Sequence, residues 1–512
     1  MSTEEQSTQT SQFFENVEQK FREMISTLQT AETSKMTFSG LELLLEKEGR
    51  ELLRLMLQSQ VNFRGLGDVG SSVEGADEVI RTHKRVGERD LKSIFGKVEL
   101  ERMGYGNRGV DSFFPKDSSL NVPENSFSYE LQRRISLEVI KGSFDNAVDS
   151  IIETTGQIIP KQQVEQISVK ASQDFDAFYV ENSSQSNSKE NLNTAPLLIL
   201  TTDGKGIVMH KEDLRPATRK KAEASNKKME TRLSPGEKKN SKRMATVASV
   251  YTINQYFRSP EDFKNDLDSI KTPEETPRPK PLDKRVWASV EKPSEEVITE
   301  MFDEAIRRDP DKKKTWVALV DGAPHQIKLI KSEAKSRGIS ITIICDIIHV
   351  VEYLWKAAWA FYDKEDNKNA EKWVNERFIA ILEGKSSTVA AGIRRTATKR
   401  ELSESARKSV DACSDYLLNK TPYLKYDTYL QQGFPIATGV IEGACRHLIK
   451  DRMDITGARW RMMGAEAILK LRSLKSSGDF SDYWKFHEKQ EFLRNYESQY
   501  KNLPLIQHQI LN

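Results

Sequence analysis

The apolar positions change rhythm along the chain, and each change marks a boundary. From Ser11 to about Gln60, Phe14, Val17, Phe21, Ile25 and Leu28 recur every three or four residues, and Leu41, Leu44, Leu45, Leu52, Leu55 and Met56 continue the pattern. That spacing predicts amphipathic helices. A Gly-rich stretch from Gly65 to Gly75 interrupts it, and the segment from Thr82 to Gly109 then alternates around Gly96, which predicts a hairpin or small sheet. Helical spacing returns from Tyr129 to about Tyr179: Phe144, Val148 and Ile151 form one stripe, Gly156 sits in a short break, and Pro160 opens a second helix carrying Val164, Ile167 and Ala171. Residues 181–194 almost lack apolar side chains and read as a linker.

Beyond the linker the runs become short and β-rich: 197–203, 244–253 and 285–290. A helical segment at 294–309 follows, then a strand at 315–321, a helix, a strand at 339–346 and a helix from about Ile348. Three strands, a helix, then strand, helix, strand, helix predict a mixed sheet flanked by helices, an order that matches an α/β RNase H-like core. Residues 352–430, with Trp355, Trp359 and Trp373, read as all helix and as an insertion before a helix beginning near Thr438. The expected organisation is therefore a helical region (1–64), a Gly-rich segment with a small β element (65–110), and a helix-turn-helix-like domain (111–180). The linker (181–194), the first part of the core (195–351), the helical insertion (352–430), the last core helix (431–475) and a helical tail (476–512) follow.

Composition narrows the partners. In 512 residues, 78 Lys plus Arg against 76 Asp plus Glu leave a net charge of only +2, so any basic surface must be local. Residues 211–243, between the first two core strands, hold twelve Lys or Arg against five Asp or Glu. A Pro-rich excursion from Pro260 to Pro281 reads as irregular surface loop. Three scattered cysteines give neither a disulfide framework nor a zinc motif, the N-terminus is acidic and polar rather than a signal peptide, and no apolar run is long enough to span a membrane. These features fit a cytoplasmic protein.

Asp203 follows an apolar strand and precedes Gly204, and Asp321 does the same before Gly322. A carboxylate at the end of a buried strand is costly unless a cation or donor meets it, although Asp-Gly also makes ordinary turns. The third candidate is Glu442, on a helix that Thr438 can cap, where Glu442, Arg446 and Lys450 at four-residue spacing share one face. The same spacing also suits a plain surface ion pair. Three such oxygen ligands fit Mg²⁺ (two ions, with Mn²⁺ as a substitute), which can activate the attacking oxygen and stabilise the leaving one at phosphorus. Asp346 and His349 stand at a strand-to-helix junction, where Asp346 can be an N-cap or, with His349, can support the metal ligands from behind. Trp460 reads as packing.

Polyanionic DNA would need clustered cations. Candidates are Lys161, Gln162, Gln163, Gln166 and Lys170 on the second helix of the helix-turn-helix, and Arg446, Lys450 and Arg452 beside Glu442, with Arg394, Arg395, Lys399 and Arg400 in the helical block. Helix pairs and charge runs also occur as simple packing and solvated faces.

The segments TTDGKGIVM, RMATVASVYTI, KRVWASVEK, WVALVDG, IIHVVEYLWKAAWAFY and FPIATGVIEGACRHLIKDRMDITGARWRM resemble the bacterial insertion-sequence transposases of the ISKra type, which are DDE enzymes. The likeness runs from about Arg81 to Phe492. It implies that Asp203, Asp321 and Glu442 form the DDE triad and that an RNase H-like core is split by a helical insertion. It also implies an upstream domain that binds terminal inverted repeats. The expectation is a Mg²⁺-dependent transposase that cuts double-stranded DNA at the element's ends and joins the freed 3′-hydroxyl to target DNA. It would work as a homodimer or larger assembly, cytoplasmic and nucleoid-associated when bound. Two competing expectations are an inactive sequence-specific DNA-binding protein and an RNase H-like nuclease without strand transfer.

Overall fold

A computed structural model of the chain describes residues 3–185, 195–224, 241–267, 278–363, 365–455 and 457–502. Packing divides it into two units, Met1–Phe178 with Phe480–Asn512, and Tyr179–Asp479.

In the first unit, helices α1 (Thr3–Leu28) and α2 (Phe38–Phe63) pack antiparallel: the rings of Phe13 and Phe14 meet Phe63, and Lys20 pairs with Glu48. Thr37 caps α2 by accepting from the amide of Gly40 at 3.2 Å. A short pair, β1 (Val73–Glu74) and β2 (Ile80–Arg81), precedes a three-stranded antiparallel sheet of β3 (His83–Ser93), β4 (Gly96–Asn107) and β5 (Val110–Phe113). Gly96 follows the tight turn between β3 and β4 at φ +143°, a conformation natural only to glycine.

Helix α3 (Pro115–Ser119) leads to α4 (Tyr129–Val139), α5 (Phe144–Thr155), α6 (Lys161–Lys170) and α7 (Phe175–Gln185). Ser128 and Ser143 cap α4 and α5, and Gly156 ends α5 in the left-handed region at φ +69°. The segment expected as a linker thus begins in helix α7, and its remainder, 186–194, lies outside the described residues. The final helix, Phe480–Phe492, belongs to this unit, where the Tyr483 hydroxyl donates to the Ala171 carbonyl at 2.7 Å.

The second unit is built on five strands: β6 (Leu197–Val208), β7 (Lys242–Ile253), β8 (Leu282–Ser289), β9 (Thr315–Val320) and β10 (Ile341–Cys345). Their spatial order is β10-β9-β6-β7-β8, with β6, β7 and β8 antiparallel and β9 and β10 parallel to β6, consistent with an RNase H-like core. Leu197–Leu200 and Val317–Val320 are fully buried, as strands covered on both faces require.

Along the chain the helices are α8 (Pro216–Ala224), α9 (Pro260–Leu267), α10 (Ser294–Arg308), α11 (Pro324–Ser336) and α12 (Ile347–Ala358). A helical block follows: α13 (Asn367–Leu382), α14 (Ser386–Lys399), α15 (Glu404–Lys420) and α16 (Tyr426–Gln431). Next come α17 (Gly439–Ala444), a π-helical turn (Cys445–Lys450), α18 (Asp451–Met453) and α19 (Met462–Ser477). No helix among the described residues is long and apolar enough to cross a membrane.

Two expectations are corrected. Asp203 does not end its strand, because β7 keeps pairing with β6 as far as Val208↔Lys242 after the parallel partner stops at Thr202↔Val320. The Pro-rich excursion is not wholly irregular. Pro260 starts α9, since a first-turn proline loses no helical hydrogen bond, and Ser259 and Asp262 cap each other's amides at 2.8 and 3.1 Å. Residues 268–277 of that excursion and 225–240 of the basic segment lie outside the described residues.

Candidate active site

The register of the sheet sets three aspartates in a row. Thr202 pairs with Val320 and Val320 with Cys345, so Asp203, Asp321 and Asp346 follow on neighbouring strands about 4.8 Å apart. The Asp346 amide continues the ladder by donating to the Val320 carbonyl at 2.8 Å.

Each carboxylate is oriented by local donors. Asp203 Oδ1 accepts from the Gly204 amide at 2.6 Å, and its Oδ2 accepts from the Cys445 thiol at 3.1 Å. Asp321 Oδ1 accepts from the Ala323 amide at 2.8 Å in the turn that launches α11. Gly322, at φ +92°, makes that turn, and a Cβ there would meet the Tyr416 hydroxyl at 2.9 Å and Cys345 Sγ at 3.2 Å. Tyr416, from α15, donates to the Asp321 carbonyl at 2.9 Å, so the helical block bears directly on this strand end.

Asp346 is fully buried and does cap α12, accepting from the Ile348 amide at 2.8 Å. Its other oxygen holds the amide and hydroxyl of Thr438. Thr438 therefore does not cap α17 as expected; its side chain is spent on Asp346, which ties the end of β10 to the start of the Glu442 helix. His349 is half-buried, with Nδ1 3.7 Å from Glu352.

Glu442 lies on α17, which packs on β6 and β7. Partial burial and then the negative charge of Asp346 push its carboxyl up; His349 opposes this, while Glu352 and Asp203 add to it. Among the described residues no lysine or arginine pairs with Asp203, Asp321 or Glu442. Carboxylates gathered without a direct lysine or arginine ion pair, and offering oxygen atoms, are a donor set that suits a hard divalent ion.

Glu442, Arg446 and Lys450 are all exposed, on the side opposite buried Ile441, Cys445, Leu448 and Ile449, although Cys445–Lys450 is π-helical. Arg446 lies 3.7 Å from Asp451, five residues on. The turn is stabilised by Arg472, whose guanidinium donates to the carbonyls of Leu448, at 3.0 Å, and His447. Arg446 and Lys450 are exposed, whereas Arg452 is 2% exposed with its guanidinium 4.8 Å from the Trp460 ring, so it cannot reach a phosphate. Trp460 is packing, and its indole donates to the Met453 carbonyl at 3.0 Å.

In the first unit, Gln162 and Gln166 are exposed on α6 and Gln163 is half-buried. Lys161 pairs with Asp145 at 2.7 Å, and Lys170 is held by Glu124 at 2.9 Å and Glu491 at 3.3 Å, which neutralises it as a phosphate contact. In the helical block Arg394 pairs with Asp415 at 2.5 Å and Arg400 donates to the Phe361 carbonyl at 3.0 Å.

Among the described residues, the group of His, Cys, Asp or Glu whose ligand atoms all lie within 4.8 Å of one another is Asp174, His487 and Glu491, not the row at the sheet. By spacing it could hold a metal ion. It already contains positive charge, however: Arg494 lies 2.6 Å from Asp174 and also bonds Glu491, and Lys170 adds a second cation. Sequence reasoning gave Thr438 the wrong partner and missed Cys445, Tyr416 and Arg472, and no spacing signal identifies these contacts, since each residue acts on one far along the chain.

No family model matches the chain, and no curated protein matches it. One solved structure to which the chain is similar is a Drosophila P element transposase strand transfer complex, at 11% identity, covering 77% of this chain and 83% of that chain, with a TM-score of 0.23. The reading of the site therefore rests on the chain's own residues.

Proposed function

We propose that the protein is a DNA transposase of the DDE type, with Asp203, Asp321 and Glu442 as the residues that hold Mg²⁺. The observation that carries this reading is geometric: Asp203 and Asp321 follow paired residues of adjacent strands, and the thiol of Cys445, three residues beyond Glu442, donates to Asp203 and holds the end of the Glu442 helix against the same strand. The resemblance of the motif-bearing segments to ISKra-type transposases supports the same assignment.

Bound at these carboxylates, Mg²⁺ supplies a Lewis acid for in-line displacement at phosphorus. The chain's own residues set the stage for that chemistry. The Gly204 amide and Cys445 thiol orient the two oxygens of Asp203, and the Ala323 amide orients Asp321. Asp346, through Thr438, anchors the helix that carries Glu442, and His349 lies within electrostatic reach of that carboxylate. Exposed Arg446 and Lys450 are placed to neutralise DNA phosphates near the reacting bond. Residues 111–180 serve as the helix-turn-helix-like domain that reads terminal inverted repeats, with exposed Gln162 and Gln166 and half-buried Gln163 on α6 as its base-reading side chains, and residues 352–430 are the helical insertion. The reaction takes place in the cytoplasm, at the nucleoid.

The test incubates the full chain with a plasmid carrying the DNA that flanks its coding region, with Mg²⁺ or with EDTA, and maps breaks and joined products at nucleotide resolution. Paired breaks at inverted repeats with joined ends, dependent on Mg²⁺ and lost in Asp321→Ala while DNA binding persists, are expected. Cleavage by Asp321→Ala at the wild-type rate would overturn the assignment. Breaks without joined products would favour the nuclease reading instead.

A further inference from the structure

The carboxylate of Asp321 stands on a turn whose peptide planes can rotate unless something holds them. Pairing between β9 and β6 stops at Thr202↔Val320, so Asp321 lies just beyond the last rung. Gly322 after it has φ +92°, in the left-handed region that favours glycine, the residue with the greatest backbone freedom. Two peptide planes flank that glycine. The one after it is fixed by Asp321 itself, whose Oδ1 accepts from the Ala323 amide at 2.8 Å in an Asx turn. The one before it is fixed by Tyr416, whose hydroxyl donates to the Asp321 carbonyl at 2.9 Å.

Tyr416 comes from α15, 95 residues further along the chain, and the turn is shaped to receive it. A Cβ on Gly322 would meet the Tyr416 hydroxyl at 2.9 Å, so the hydroxyl takes the space that a side chain at 322 would fill. The ring is held as well. It stacks on Tyr353 of α12, with centroids 4.3 Å and planes 20° apart, and the Lys356 ammonium lies 5.0 Å from the Tyr353 ring. Helix α12 in turn begins at Asp346, whose amide donates to the Val320 carbonyl at 2.8 Å. Tyr416 thus joins the helical block, α12 and the end of β9 in one run of contacts.

We infer that Tyr416 is a positioning residue for Asp321: it fixes the Asp321–Gly322 peptide, aims the carboxylate, and so lets the helical block govern how tightly the site holds a divalent ion. This role rests on the reading of Asp203, Asp321 and Glu442 as metal ligands. A group that orients a ligand from behind changes metal affinity by roughly 10- to 100-fold when it is removed. Tyr416→Phe keeps the ring and its stack and removes the hydroxyl alone.

The test titrates the full chain, without DNA, with Mn²⁺ and follows the free ion by its electron paramagnetic resonance signal. Wild type is expected to bind, Asp321→Ala to lose that binding, and Tyr416→Phe to need at least about 10-fold more Mn²⁺ for half-saturation. Tyr423→Phe, which removes another hydroxyl from the helical block, is the control and should bind as wild type does. Melting temperatures without metal separate positioning from folding. A Tyr416→Phe variant that melts lower but binds Mn²⁺ as wild type does, while Asp321→Ala has lost binding, would overturn the inference and leave the metal reading intact. A Tyr423→Phe variant as weak as Tyr416→Phe would overturn it too. A wild type that binds no Mn²⁺, or an Asp321→Ala variant with wild-type affinity, would overturn the metal reading and the inference with it.

Discussion

The thiol of Cys445 donates to Oδ2 of Asp203 at 3.1 Å and so joins the helix that carries Glu442 to the strand that carries Asp203. Burial pushes all three thiols up, Cys345 and Cys413 to about 12 and Cys445 well above its ordinary value, with the Asp203 charge adding to the last. Thiolate is the reactive form. At pH 8 the native protein should therefore react with an aromatic disulfide reagent far more slowly than free cysteine does, and all three thiols should appear after denaturation. Rapid reaction of Cys445 in the native protein would show that the contact opens in solution.

Two glycines near the site should respond oppositely to alanine. Gly322→Ala forces a side chain into φ +92° against Tyr416 and Cys345, and a loss of about 2 kcal/mol in denaturant unfolding is expected. Gly443→Ala meets nothing within 4 Å on a helix and should stabilise by up to about 1 kcal/mol. If Gly443→Ala gains stability but loses DNA cleavage, that open space is where the substrate approaches; unchanged cleavage would exclude this role.

Acid should weaken the sheet unit through Glu304. Burial raises this carboxyl, but the guanidinium groups of Arg285, Arg308 and Arg307 more than offset that and hold it at about 2. A depressed carboxyl contributes stability that is fully present above its unfolded value, 4.5, and is lost as pH falls toward 2. The contribution is on the order of 3 kcal/mol. Denaturant midpoints at pH 7, 5 and 3 should converge between wild type and Glu304→Gln as pH falls. A constant gap would mean that the guanidinium cluster does not depress Glu304.

The buried group around Asp174 should behave as an ion-pair knot rather than a metal centre. His487 and Arg494 lie 2.7 and 2.6 Å from the buried Asp174, so Asp174→Ala removes two hydrogen bonds to a charged group and should cost roughly 1.5–3 kcal/mol. EDTA should leave the melting temperature unchanged. A drop with EDTA would assign a structural ion to Asp174, His487 and Glu491.

Much of the fold was legible before any coordinates. The five β-rich runs, the helical periods between them and the Gly96 turn all appear as elements, because burial of one face or both imposes its period locally. The candidate carboxylates were legible as chemistry too, since an acid beside a glycine at an apolar run is costly unless something meets it. Where they stand was not. Asp203 lies inside its strand because β7, some forty residues away, continues to pair with it.

The amino-acid sequence by itself determined which segments are helix and strand for most of the chain, and which acidic side chains adjoin the apolar runs. Only the tertiary structure decided which neighbours those side chains have. It buried Arg452 beneath Trp460, neutralised Lys170 with Glu124 and Glu491, and turned Thr438 from its own helix to Asp346. It also placed a π turn, fastened by Arg472, immediately after α17. Periodicity records only which face of an element is buried; a hydrogen bond or ion pair between residues tens or hundreds of positions apart depends on how the elements pack.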